Sequence, residues 1–189
     1  MRSHALATDG QDGGVSYQAD ERIVTYPTER IELTARVAFA TVRSRLEDLV
    51  PEVDTDELRR LVDEGAPWED FTRVARRAPY DLMRYPGVEL AAMMRIAGVG
   101  IPSISYELTN HALLARMFRH DPGVALYAPF RLALHGSGDA STVVALDRPS
   151  ARLVSFGNNK IAQVGVELDR AIGDLLEAVD LPRPSVLRR

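Results

Sequence analysis

Six apolar residues near the end of the chain, Ile161, Val164, Leu168, Ile172, Leu175 and Val179, recur at intervals of three, four or seven residues. That spacing places all of them on one side of a helix. So long an apolar stripe is stable in water only when another surface covers it. The cover must come from upstream, where "SISYELT" (103–109), "PFRLALHG" (129–136) and "STVVALD" (141–147) have the composition and flanking turns of strands. One helix packed across an antiparallel sheet is therefore the arrangement to which the chain is most tightly bound.

The segments before the sheet are more varied. Residues 1–20 are polar, glycine-bearing and aperiodic, as expected of a disordered tail ahead of a single domain over 21–184. "RIVTY" (22–26) and "RIELTARV" (30–37) read as strands, the second by its strict alternation. Three helices follow. Phe39, Val42, Leu46 and Leu49 line the first, which stops before Pro51. Asp54 caps the second and Gly65 ends it, while Pro67 opens a third with Trp68 and Phe71 on its apolar stripe. "ELAAMMRIAG" (89–98) reads as a further strand, and "NHALLARMF" as a short helix capped by Asn110. "GSGDAS" (136–141) has the chemistry of a hairpin turn. Asn158 or Asn159 caps the final helix, and "DLPRP" (180–184) ends it. The order implies an α+β fold with the helices on one face of the sheet.

Composition excludes several kinds of chemistry. There is no cysteine, which removes disulfides, thiolate nucleophiles and zinc–thiolate or iron–sulfur sites. A formal charge of -4 gives no electrostatic footprint for nucleic acid. No apolar run approaches the ~20 residues that span a bilayer, and the first residues lack a secretory apolar core. The expectation is a cytoplasmic protein with neither nucleic-acid nor membrane partner. Among its 23 basic residues Lys160 is the single lysine, a bias typical of GC-rich genomes such as actinobacterial ones.

From Ser105 onward, a strand leads to an Asn-containing turn at Asn110 and a short helix. "YAPFR" (127–131), a hairpin, "DRPS" (147–150) and a last helix bearing "ELD" (167–169) follow in that order. This series resembles the bacterial domain of unknown function 302 family, DUF302, best over residues 100–180. Many members have Gly-Asn-Pro at the turn, where this chain has Thr109-Asn110-His111. The resemblance implies a TATA-binding-protein-like α+β fold, with a curved antiparallel sheet, a long C-terminal helix and, here, extra N-terminal helices. Related architectures include ligand-binding helix-grip proteins. The family has no settled activity, so a shape is implied and not a reaction.

Candidate functional residues follow from the strand ends. Tyr106 shares a strand face with Ile104 and Leu108, Tyr127 precedes the next strand, and Arg131 lies between Phe130 and Leu132. With Asn110, these are expected to bind a small, largely apolar molecule in a cavity between the sheet and the C-terminal helix. The alternative is a cofactor-independent cyclase, isomerase or lyase in which His111 or His120 moves a proton and Tyr106 or Arg131 stabilises an oxyanion. Arg119-His120-Asp121 itself reads as a helix end and turn, because neighbouring residues on a helix diverge by about 100°. Neither a cofactor nor a metal is expected, since no two histidines have the spacing of a shared ligand face. The helices over 39–77, or an uncovered sheet edge, could pair two copies as a homodimer.

Overall fold

The computed structural model describes residues 19–137 and 140–188; the expected tail, save its last two residues, and the tip of the expected hairpin lie outside the described residues. Its centre is an antiparallel sheet of β1 (Arg30–Ala35), β4 (Ser103–Thr109), β5 (Phe130–Gly136) and β6 (Thr142–Asp147), in the order β1-β6-β5-β4. Two short strands, β2 (Met83–Arg84) and β3 (Val88–Glu89), extend the β4 edge. The helices are α1 (Phe39–Leu49), α2 (Thr55–Asp63), α3 (Trp68–Arg76), α4 (Ala91–Ile96), α5 (His111–Phe118), α6 (Pro149–Leu153) and α7 (Asn159–Ala178).

Alternation decides what each face of the sheet carries. Register pairs Tyr106 with Leu132, Leu132 with Leu146, and Leu146 with Ile31. These residues, with Ile104, Leu108, Leu134 and Val144, are buried against Val42 and Leu46 of α1 and the apolar stripe of α7. The opposite face carries Ser105, Glu107, Arg131, Ala133, Ala145, Asp147 and Glu32, exposed or half-buried. Between sheet and α7 the side chains meet directly: Leu132, Leu134, Ile161 and Ile172 have no exposed surface. The position of the expected cavity is therefore occupied by these buried side chains.

Two sequence expectations are corrected. Residues 89–98 do not form one strand: Val88–Glu89 pairs with β4, and Ala91–Ile96 is helical. Ala-Ala-Met-Met has high helix propensity and no alternation to oppose it. Residues 22–26 form no strand, and the strand starting at Arg30 ends at Ala35. The expected caps are present. Oδ1 of Asp54 accepts from the Glu57 amide, and Oδ1 of Asn158 accepts from the amides of Lys160 and Ile161.

The sharpest polar constraint lies where β6 leads into α6 and α6 rests on α7. Asp169, buried within α7, accepts from Nε of Arg148 at 2.7 Å, the Ser150 hydroxyl at 2.5 Å and the Ser150 amide at 3.1 Å. The second arm of Arg148 reaches Glu29, just ahead of β1. Gly165, one turn earlier on α7, allows this approach, since a Cβ there would stand 2.9 Å from the Ser150 Cα. A buried carboxylate with three donors contrasts with the half-exposed pair Arg116–Glu167. Asp169→Ala should therefore cost roughly 2–4 kcal/mol of unfolding free energy, and Glu167→Ala no more than about 1 kcal/mol. Urea unfolding of the two variants measures the difference, and equal losses would remove Asp169 from its structural role.

Candidate ligand-binding site

The structure separates the four residues expected to share a ligand. Tyr106 is fully buried on the core face and donates its hydroxyl to Glu47 of α1 at 2.6 Å. Burial, then that hydrogen bond to a carboxylate, pushes the phenol far above its ordinary value. Burial acts to raise the Glu47 pKa, but hydrogen bonds from Tyr106 and Arg43 outweigh it and hold the carboxyl below its ordinary range. Asn110 is fully engaged: Oδ1 accepts from the amides of Ala112 and Leu113, and Nδ2 donates to the Asp81 carbonyl at 2.8 Å. That last bond steadies a turn in which both Tyr80 and Asp81 have positive φ, an unfavourable conformation for non-glycine residues.

Tyr127 and Arg131 do come together, in a hollow of 430 Å³ at the end of the sheet, but Arg131 points away from the core. Its side chain is 77% exposed and pairs across the strands with Glu107 at 3.3 Å. Alternation with the buried Phe130 and Leu132 requires that outward direction. Arg152 pairs with Asp147 and lies 5.3 Å from the centroid of the Tyr127 ring, whose hydroxyl bonds to that of Tyr26. The Tyr26 hydrogen bond, with burial, raises the Tyr127 pKa. Each of the four charges lining this hollow thus already has an opposite partner.

The two histidines stand at opposite ends of α5, roughly 13 Å apart at 1.5 Å per residue. His120 is exposed beyond the last turn, where Asp121 accepts from the Gly123 amide to start the next turn. His111 begins the helix with its ring largely covered, and its Nε2 lies 3.3 Å from the Tyr85 hydroxyl. When that hydroxyl donates to Nε2, the ring proton falls on Nδ1, a buried donor that no described residue accepts. No group of three or more His, Asp or Glu able to hold a metal ion occurs among the described residues.

His111 also borders a second hollow, of 610 Å³ and mostly apolar, between α2, α3 and α5. Leu58 and Val62 line it from α2, Trp68 and Phe71 from α3, and Leu114 and Phe118 from α5. The Trp68 and Phe71 rings stack with centroids 5.6 Å apart and planes 17° apart. Val62, Trp68 and Phe118 are 66%, 45% and 48% exposed, so large apolar groups face outward around one concave surface. The helices are held beneath by a small second core of Val53, Ala75, Ala78 and Met83. The sequence marks Trp68 and Phe71 as an apolar stripe. Which part of that stripe stays uncovered depends on how α3 docks against α5.

These features define the class: an α+β protein whose antiparallel sheet carries its helices on one face, with a long C-terminal helix as the main cover. Neither a protein-family model nor a curated protein matches the chain. Its structure is similar to the crystal structure of the uncharacterized conserved protein DUF302 from Bacillus stearothermophilus, with a TM-score of 0.56. The two sequences are 12% identical, and the match covers 79% of this chain and 97% of the other. The chain has a DUF302-like fold.

Burial holds the His111 imidazole below its ordinary value of about 6.5. The unfolded chain takes up this proton near 6.5 and the folded chain only at lower pH. The ring's neutral state therefore supports the fold fully above about pH 6.5, and that support is lost as pH falls through the folded value. His111→Gln should flatten the decline in stability between about pH 6.5 and pH 5 relative to the parent. Urea midpoints across that window measure it, and parallel curves would show that His111 does not contribute.

Proposed function

We propose that the protein is a binding module for a small, largely apolar molecule, seated in the cleft between α2, α3 and α5. The observation that carries the reading is the set of exposed large apolar residues, Val62, Trp68 and Phe118, around a hollow of 610 Å³. Ligand sites are usually concave, mostly apolar and about 300–1,000 Å³ in volume. Covering apolar surface contributes about 25 cal/mol per Å², so such a wall gains directly from an occupant. The charged hollow at Tyr127 gains less, because a ligand there must displace or desolvate ion pairs already formed. Binding is favoured over proton-transfer chemistry because His111 and His120 border different hollows.

Trp68 is the sole tryptophan, so its emission reports on the cleft alone. Titration with 1-decanol should change Trp68 fluorescence saturably. Val62→Glu, a change at an exposed position, should weaken that response at least about tenfold by placing a charge in the apolar wall. A response that is absent, or that Val62→Glu leaves untouched, would remove the cleft as a ligand site.

A further inference from the structure

The apolar cleft is not electrically neutral at its end. Arg119 follows the last residue of α5 and borders two hollows at once, the apolar cleft and a polar one shared with Arg116, His120, Lys160 and Gln163. Its Nε donates to the Ala115 carbonyl at 3.4 Å, which leaves both terminal nitrogens of the guanidinium without an acceptor among the described residues. Arg116 differs, since Glu167 grips it in a two-pronged pair at 2.5 and 2.7 Å. Lys160, across the polar hollow, is exposed and takes part in no ion pair among the described residues. Eleven other described arginines, including Arg43, Arg84, Arg131, Arg148 and Arg152, have carboxylate partners. The mouth of the cleft thus joins an apolar wall to uncompensated positive charge.

We propose that the occupant is a small amphiphilic anion, its hydrocarbon or aryl body lying along Trp68, Phe71, Leu114 and Phe118 and its carboxylate held by Arg119. This rests on the cleft being the ligand site. Guanidinium geometry matches a carboxylate, and a charge-assisted hydrogen bond is roughly twice as strong as a neutral one. Lys160 adds attraction at longer range, while Arg116 contributes little because Glu167 cancels it. A cationic amphiphile of the same length meets the same wall but the wrong charge, which gives the cleft a basis for discrimination.

Three ligands with one tail separate the possibilities: decanoate, 1-decanol and decyltrimethylammonium, each titrated into the full chain with Trp68 emission as the readout. Decanoate should bind about tenfold more tightly than decanol, and decyltrimethylammonium more weakly than either. Arg119→Gln should abolish the preference of decanoate over decanol; Lys160→Gln should reduce the preference only in part. Equal affinities for decanoate and decanol, unchanged by Arg119→Gln, overturn the assignment of the head group yet leave the cleft as an apolar site. A Trp68 signal insensitive to all three ligands overturns both. Light scattering on the same samples tests the remaining occupant: a dimer whose dissociation on dilution shifts Trp68 emission would assign the cleft to a second copy and overturn the anion.

Discussion

A carboxylate inside an apolar helix face must be answered by donors, because an unanswered one costs several kcal/mol. In this molecule the carboxylate is Asp169, and its donors all come from the turn that follows β6. That requirement ties α6 to α7. The other arm of Arg148 carries the constraint to Glu29 and so to the start of β1. "DRPS" and "ELD", two of the sequence stretches that carry the resemblance to DUF302, are thus one contact in space. Their outer residues serve nearby partners: Asp147 binds Arg152, and Glu167 binds Arg116.

Beneath α7 the side chains of sheet and helix meet directly. The interior is occupied by leucine, isoleucine and valine from both layers, with the Tyr106 hydroxyl turned toward Glu47 instead of toward an occupant. Available concave surface is displaced to where α2 and α3 lean against α5. There the small residues Ala75 and Ala78 face inward and the bulky Trp68 faces outward. The reversal of the usual order, large inside and small outside, is what gives the cleft its apolar wall.

Much of this architecture is legible in the amino-acid order, where local chemistry and global packing agree. Asn110, Asp54 and Asn158 signal helix starts by the side-chain oxygen they offer, and Gly65 signals a stop by its positive φ. Alternation assigns the faces of β4, β5 and β6, whereas the expected place of Arg131 in a cavity beneath α7 runs against that alternation, and the residue points outward. Less legible are the places where an element has no partner to enforce it. "RIVTY" is rich in strand formers but pairs with no strand of the sheet, and Tyr26 reaches Tyr127 through its side chain. The cleft is assembled from three segments distant in sequence, so no single window contains it. Its one early signal is a tryptophan on a helix too short and too charged to bury the residue by itself.

The strand order has a consequence for how the chain comes to exist. β1 precedes every other described strand in the chain, yet its neighbour in the sheet is β6, the last of them. Until then β1 has no place to dock, and its hydrogen-bonding groups are open to whatever strand passes by. The charges of Arg30 and Glu32 along one side of it restrain such mispairing. The sheet can therefore close on β1 only once β6 has been made, and Glu29 meets Arg148 no earlier than that.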